Sequence, residues 1–523
     1  MRFLITILFL LSATVFAQNA TDSPVITIIH TNDTHSQIEC ATTKKSGTPY
    51  GGVVERAALL ELFRQQDPDL LYLDGGDMVQ GSPYFNVFKG ELEILCMNQQ
   101  KLLASTFGNH EFDNGIEGIE FMLRNADFPL LSSNYHCEGT ILETRILPHL
   151  ILVNHGVKIG ITGVTCSPEG LITARNWEGI TYEDPRSAVN REAALLRQEG
   201  CDLVIVLSHA GHIPHRGTLS DEVTDTAIAE ESHDVDVIIG AHSHTNLEHG
   251  VKVNNADGHP VLITQTGGKA NPIGYLQITM KRGSSYPGCE YSVDSIICKK
   301  LHPENYDLTG LGQEVAEIVA PYRDALADQM NVKIAEAPEL LGRGYPQCVL
   351  GNFTSDALMN IGEKYAETPI DVSIMNMGGL RSELPAGNVT IGSLYNIFPF
   401  ENAIVVLDLT GAQLQQLINS NAGHGLDCWG GAKITLAMDG SRCYATEILI
   451  GGQPIDPERI YHICTIDYLA EGNGGMSILT QTNHLQKTGV TIRDAMIEYV
   501  RQLGNEGKPI VSQIDDRVID HTK

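Results

Sequence analysis

The sequence predicts an α/β fold, and three observations predict it. From Val25 onward, short β-branched runs alternate with stretches of helical periodicity. Five of those runs deliver Asp, Asn or His directly at their carboxyl ends, the edge where open α/β sheets bind ligands. The 523 residues are 42% apolar and 19% charged, a globular balance with length for two or three domains.

In chain order, Arg2, the apolar run Phe3 to Leu11 and the small-residue ending Val15-Phe16-Ala17 read as a signal peptide over residues 1–17, with cleavage before Gln18. The run is too short to span a bilayer. No lipid-accepting Cys follows it and the C-terminal stretch 515–523 is polar, so no membrane anchor is expected and the protein is placed in the periplasm or outside the cell. The formal charge of -29, from 64 acidic against 35 basic residues, excludes nucleic acid polymers and anionic membranes as partners. A small phosphorylated substrate stays compatible with it where cations reverse the field locally. Eleven cysteines without a CxxC pair speak against both a disulfide framework and a thiolate metal site. Cys428 and Cys443 flank one strand and Cys289 and Cys298 another segment, as candidate bridges. Cys166 and Cys464 lie in apolar runs and read as core thiols.

The five runs are Val25 to Ile29, leading to His30-Thr31-Asn32-Asp33-Thr34-His35; Leu70 to Leu73, leading to Asp74-Gly75-Gly76-Asp77; Leu102 to Phe107, leading to Gly108-Asn109-His110-Glu111-Phe112-Asp113; Leu203 to Leu207, leading to Ser208-His209; and Val235 to Ile239, leading to Gly240-Ala241-His242-Ser243-His244. Helices are expected between them over Val53 to Gln65 and Ala188 to Glu199, and His212 to His233 reads as a polar connection. A helical pattern from Leu311 to Met330 serves as linker within 301–333, separating a first domain at 25–300 from a second at 334–523. The second domain again mixes strands (Val372 to Met375, Ala403 to Leu409, Ile434 to Met438, Tyr461 to Ile466) with helices (Asn352 to Tyr365, Gly411 to Ile418, Ile492 to Leu503).

Asp33, His35, Asp77, Asn109, His209, His242 and His244 make a mixed oxygen and imidazole donor set. That mixture suits Zn, Mn, Co or Fe(II), whereas Mg and Ca prefer oxygen alone. Seven donors exceed the need of one ion and fit two divalent ions that share a carboxylate. Such a pair, about 3.5 to 4 Å apart, activates water and clamps an in-line phosphoryl displacement.

The stretches HTNDTH (30–35), DGGD (74–77), QGSPYFN (80–86), GNHEFD (108–113), LSH (207–209), GAHSHT (240–245), MNMGGLR (375–381) and PFEN (399–402) together resemble the secreted 5'-nucleotidase family. The resemblance implies a four-layer α/β/β/α metallophosphoesterase sandwich, a helical linker and a smaller mixed α/β domain that holds the nucleotide. It implies release of phosphate from 5'-nucleotides by in-line attack of a metal-bridging hydroxide. One ion would be held by Asp33, His35 and His244, the other by Asn109, His209 and His242, with Asp77 bridging. His110 would stabilise charge on the transferred phosphoryl group, Asp113 would orient His110, and Glu111 is assigned only a structural hydrogen bond.

On the nucleotide side the resemblance makes Arg381 a phosphate clamp, Asn376 a contact to base or ribose, and Phe400 and Tyr468 the rings that sandwich the base. Two departures stand out. Pro346 lies where related enzymes carry a further phosphate-binding Arg, with Arg343 the nearest candidate, and Gly474 stands where an Asp contacts the ribose, with Asn473 beside it. Alternatives on the same fold are a 2',3'-cyclic nucleotide phosphodiesterase, a nucleoside di- or triphosphatase and a nucleotide-sugar hydrolase. From another class, the chain fits an inactive nucleotide-binding or adhesive surface protein.

Overall fold

A computed structural model describes residues 23–42, 49–169, 171–213, 223–366, 368–400, 402–440 and 442–522. Residues 1–17, read above as a signal peptide, lie outside the described residues, as does Glu401.

Two sheets carry the first half. In the seven-stranded sheet, Val25–Thr31, Leu71–Asp74, Ala104–Thr106 and Leu130–Leu131 run parallel, and the antiparallel pair Ile273–Arg282 and Tyr291–Leu301 closes one edge. The six-stranded sheet is built on the parallel strands Val157–Thr165, Leu203–His209, Val237–Gly240 and Pro260–Thr264. The run Leu203–His209 is buried at every position, as expected for a central parallel strand covered on both faces. Ile26, Ile28, Leu71 and Leu73 of one sheet meet Ile159, Ile161, Leu203 and Ile205 of the other in a single apolar layer. Helices cover the outer faces. Val53–Arg64 and Gly115–Leu123 contribute Leu59, Leu60 and Ile119 to a layer on the first sheet, and Pro185–Gln198 contributes Ala188, Val189 and Leu196 to one on the second. Pro185 opens that last helix and Asp184 caps it through the Arg186 N–H. The first half is therefore a four-layer α/β/β/α sandwich.

The second half forms one core around a five-stranded mixed sheet that includes Val372–Met375, Ile460–Ile466 and Ala403–Thr410, with a four-stranded sheet beside it. Helices Val349–Tyr365, Gly411–Ala422 and Ile492–Asn505 pack on these sheets.

Two local expectations change, and the helix Gln313–Met330, expected as linker, packs on both halves. Val315, Val319, Leu326 and Met330 sink into a layer with Ile38, Val53 and Leu92 of the first half, and Ile391 and Tyr395 of the second half pack on the same layer. The polar stretch His212 to His233 contains a helix, Asp225–Glu231, capped by Thr224, and its buried Asp225 accepts a hydrogen bond from Ser208 at 2.6 Å. Neither candidate cysteine bridge is present among the described residues. Cys289 donates to the Cys201 carbonyl, Cys298 donates to Thr264, and Cys428 lies beside Cys348 instead of Cys443. Flanking a strand in sequence puts two residues at its opposite ends, too far apart for a bond.

Candidate active site

Both sheets of the sandwich end at one edge. Asp33, Asp77 and Asn109 follow parallel strands of the first sheet, His209 ends a strand of the second, and His242 and His244 follow its neighbour. Five of the seven donors, Asp33, His35, Asp77, His242 and His244, have left-handed backbone, with φ between 47° and 66°. Non-glycine residues adopt this region rarely, and Asp and His tolerate it better than most. The strain is local, clustered at one site and held by long-range hydrogen bonds: Asp33 N–H to Gly76 O, His35 N–H to Asp77 O, and His242 N–H to Asp33 Oδ1 at 3.0 Å.

The donors converge. His244 Nε2 lies 3.5 Å from Asp33 Oδ1, and His35 Nε2 lies 3.0 Å from His244 Nε2 and 3.8 Å from Asp77 Oδ2. His209 Nε2 is 3.2 Å from Asp77 Oδ2 and 3.9 Å from Asp33 Oδ1, and His242 Nδ1 is 3.0 Å from Asn109 Oδ1. The Asp77 carboxylate is therefore common to both sides of the cluster, and its other oxygen accepts from the His110 N–H at 2.9 Å.

The residues fit a pair of cations. His209 anchors its Nδ1 on the Gly75 carbonyl at 2.9 Å, which turns Nε2 into the cluster, where this buried atom makes no aligned hydrogen bond. Two imidazole nitrogens facing each other at 3.0 Å, beside carboxylates, are arranged as ligands are around a shared charge. Burial lowers the His35 imidazole to about 3, despite Asp77, so its ring is a neutral donor. Burial works against ionised Asp77, yet the histidines around it, His209 and His110 foremost, hold it well below the usual carboxylate range.

Glu111 sits under this cluster, fully buried, and its carboxylate accepts from the backbone N–H groups of Gly108, of Asp77 at 3.0 Å and of Met78 at 2.8 Å. Two strand ends are thereby tied together. His110 stands on the cavity side, with Nδ1 3.0 Å from Asp113 Oδ2. Burial would lower its imidazole, but Asp113 and Asp77 hold it up at about 9.

A cavity of about 290 Å³ runs from these donors into the second half. His35, Asp77, Asn109, His110 and His244 line one end, and Asn376, Arg381, Phe400 and Tyr468 line the other. The Phe400 ring stacks on His110 at 6.1 Å between centroids, and the Arg381 guanidinium lies 5.7 Å from the Phe400 centroid. Arg343 and Asn473 are not brought to the cavity wall. Arg343 donates to the Met377 carbonyl at 3.1 Å, and the Asn473 side chain is buried while the neighbouring Gly474 lines the cavity.

Sequence reasoning missed part of the wall. Leu171, Ile172, Thr173, Arg175 and Asn176, at and before the short 3-10 helix Ala174–Trp177 of the first half, line the cavity together with Asn402. Arg175 there pairs with Asp467 at 3.0 Å, and the Ala174 N–H donates to Glu471. Asp467 Oδ1 accepts from the Ala403 and Tyr468 N–H groups, so a first-half arginine braces the turn that carries Tyr468. The only local signal is a lone Arg in a polar turn. A second brace reaches Phe400. The Pro399 carbonyl accepts from Asn86 of the first half at 2.6 Å and from the buried Arg493 at 3.1 Å.

Comparison with known proteins agrees with this architecture. Residues 26–246 match the calcineurin-like phosphoesterase family and residues 333–481 match the 5'-nucleotidase C-terminal domain. A 5'-nucleotidase of Diplobatis ommata is 26% identical, covering 94% of this chain and 89% of its own, and an apyrase of Tabanus yao is 28% identical, covering 92% and 93%. The crystal structure of a 5'-nucleotidase precursor from Thermus thermophilus superposes with a TM-score of 0.78 at 24% identity, over 95% of this chain and 100% of that one. With both domains matched in this order and relatives aligned over nearly its whole length, the chain belongs to the two-domain 5'-nucleotidase family of metallophosphoesterases and is a phosphoric ester hydrolase.

Proposed function

We propose that this protein is exported and releases phosphate from 5'-nucleotides at the sandwich edge. The observation that carries the reading is one continuous cavity, with a metal-type donor cluster at one end and Arg381, Asn376, Phe400 and Tyr468 at the other. Export rests on the N-terminal apolar segment, and among the described residues no helix is long and apolar enough to cross a membrane.

Asp33, His35 and His244 would hold one divalent ion, Asn109, His209 and His242 the other, and Asp77 both. When bound, such a pair supplies Lewis acidity and an activated water. The protein's own groups do the rest. Arg381, a permanently charged planar fork, binds the phosphoryl oxygens. His110, with Nδ1 engaged by Asp113, turns its other N–H to the phosphoryl group and donates where negative charge accumulates. Its value of about 9 keeps it protonated at neutral pH. Phe400 and Tyr468 hold the base by its faces, a mode indifferent to base identity. Arg381 lines the nucleotide end as a cation, in a chain carrying -29.

The test is phosphate release from AMP by the mature protein loaded with Mn or Zn, beside a panel of ADP, ATP, a 2',3'-cyclic nucleotide and a nucleotide-sugar. Release from AMP above the others supports the reading. No release from any nucleotide, with two metals bound per chain, sinks it.

A further inference from the structure

We propose that Cys348 and Cys428 are a reversible dithiol–disulfide pair that, when oxidised, locks the turn Asn376 to Arg381. Both cysteines are buried, and their side chains lie beside each other over Gly351. A methyl group at Gly351 would lie 2.6 Å from one sulfur and 3.1 Å from the other, so the two share one niche over that glycine. Cys348 caps the helix Val349–Tyr365 and accepts from the Gly351 N–H at 3.2 Å. The neighbouring Cys428 side chain, helped by the backbone N–H groups of Gly351 and Gly344, brings the Cys348 thiol down to about 6, and the same contact and burial push Cys428 well up. One sulfur is thus a thiolate at neutral pH and the other a thiol, an attacking and a resolving partner. A narrow crevice lined by Gly344, Pro346 and Trp429 reaches both.

The chemistry balances with a small-molecule disulfide as oxidant. The Cys348 thiolate attacks one sulfur of that disulfide, forms a mixed disulfide and expels a thiolate. Cys428 then attacks the Cys348 sulfur, its proton passing to the departing groups, and expels the second. The protein gives up two electrons and the Cys428 proton, and the small disulfide becomes two thiols once the second departing thiolate takes a proton from solvent.

Where the bond falls gives it a consequence. Cys428 stands opposite Met375 in the antiparallel pairing. Its neighbour Asp427 accepts from the Met377 N–H at 2.7 Å, while Arg343, on the Cys348 side, donates to the Met377 carbonyl at 3.1 Å. The two segments carrying the sulfurs therefore grip Met377 by its two neighbouring peptide groups, inside the turn whose Asn376, Gly378, Gly379 and Arg381 line the cavity. Only that last link to substrate rests on the proposed nucleotide reading.

The experiment uses the full chain and two readouts that need no turnover. After incubation with glutathione disulfide or with a phosphine reductant, the protein is acid-quenched, alkylated and digested without reduction. Mass spectrometry is expected to find the Cys348 and Cys428 peptides joined in the oxidised sample and separate in the reduced one. Both residues alkylated after oxidation, or joined to other cysteines, overturns the pair. Hydrogen exchange over 375–382 should slow by about threefold or more on oxidation; unchanged exchange overturns the lock. Cys428→Ser should trap glutathione on Cys348, and failure to do so overturns the order of attack. Should that variant not fold, mapping of the unmodified chain decides. None of these outcomes depends on whether AMP is a substrate.

Discussion

The two ends of the cavity are built by opposite means. At the metal-type end, every donor stands within a few residues of a strand terminus, its backbone bent into a rare conformation at five of the seven and tied by hydrogen bonds to the neighbouring strand ends. At the nucleotide end, Arg381 and Phe400 sit on turns and Tyr468 on the short helix Asp467–Ala470, and the segments carrying Phe400 and Tyr468 are braced by the other half of the molecule through Asn86 and Arg175. On the proposed function, a preorganised sheet edge would place the chemistry, while contacts between halves would place substrate recognition. Damage at the first end should therefore abolish turnover outright, and damage at the second should appear in KM.

The sharpest break of this contrast is Asp77→Ala, which removes the carboxylate common to both sides of the cluster. Turnover is expected to fall by about a thousandfold or more, with metal content measured by mass spectrometry dropping below two per chain. Two metals retained would show that Asp77 is not shared. Next, His110→Ala should keep both metals and lose about a hundred- to a thousandfold in kcat. In the unaltered enzyme the rate should decline as pH rises through about 9, where His110 loses its proton. The same group, held above its ordinary value of 6.5, stabilises the fold fully below about 6.5 and loses that contribution as pH rises through about 9. A His110→Ala profile that keeps the same alkaline limb contradicts the assignment.

At the nucleotide end, Arg381→Met should raise KM for AMP by about ten- to a hundredfold, the loss of a charge-assisted pair of about 1.5 to 3 kcal/mol. A change confined to kcat would move Arg381 to the other region. Glu111→Ala, which leaves three backbone N–H groups under the cluster without their acceptor, should cost about 3 kcal/mol of stability, read as a lower Tm. The smallest effect is expected for Arg493→Met. It loosens the Pro399 carbonyl beneath Phe400 and should raise KM about three- to tenfold with kcat unchanged. An altered kcat would mean that Phe400, stacked on His110, contributes to the chemical step.

This contrast also decides what could be read from the chain alone. Asp33, Asp77, Asn109, His209 and His242 were legible because each lies just beyond an apolar strand, so local pattern and topology coincide. Arg381 and Phe400 were legible only through resemblance to a family. Arg175 was not legible at all, since its partner Asp467 is 292 positions away and no local period marks a side chain that acts across two halves. Arg343, the nearest candidate for a further phosphate-binding Arg, lies off the cavity wall. It serves the Met377 carbonyl. Cysteine pairing failed because proximity along a strand is not proximity across a sheet.

The bent backbone at Asp33, His35, Asp77, His242 and His244 also constrains the descent of the protein. A valine or isoleucine there would have to hold a conformation that β-branched side chains resist, whereas glycine or asparagine would settle into it. A lineage that abandoned catalysis is expected to drift first to those two residues at these five places. The outline of the centre would then outlast its chemistry, as a fossil written in main-chain shape.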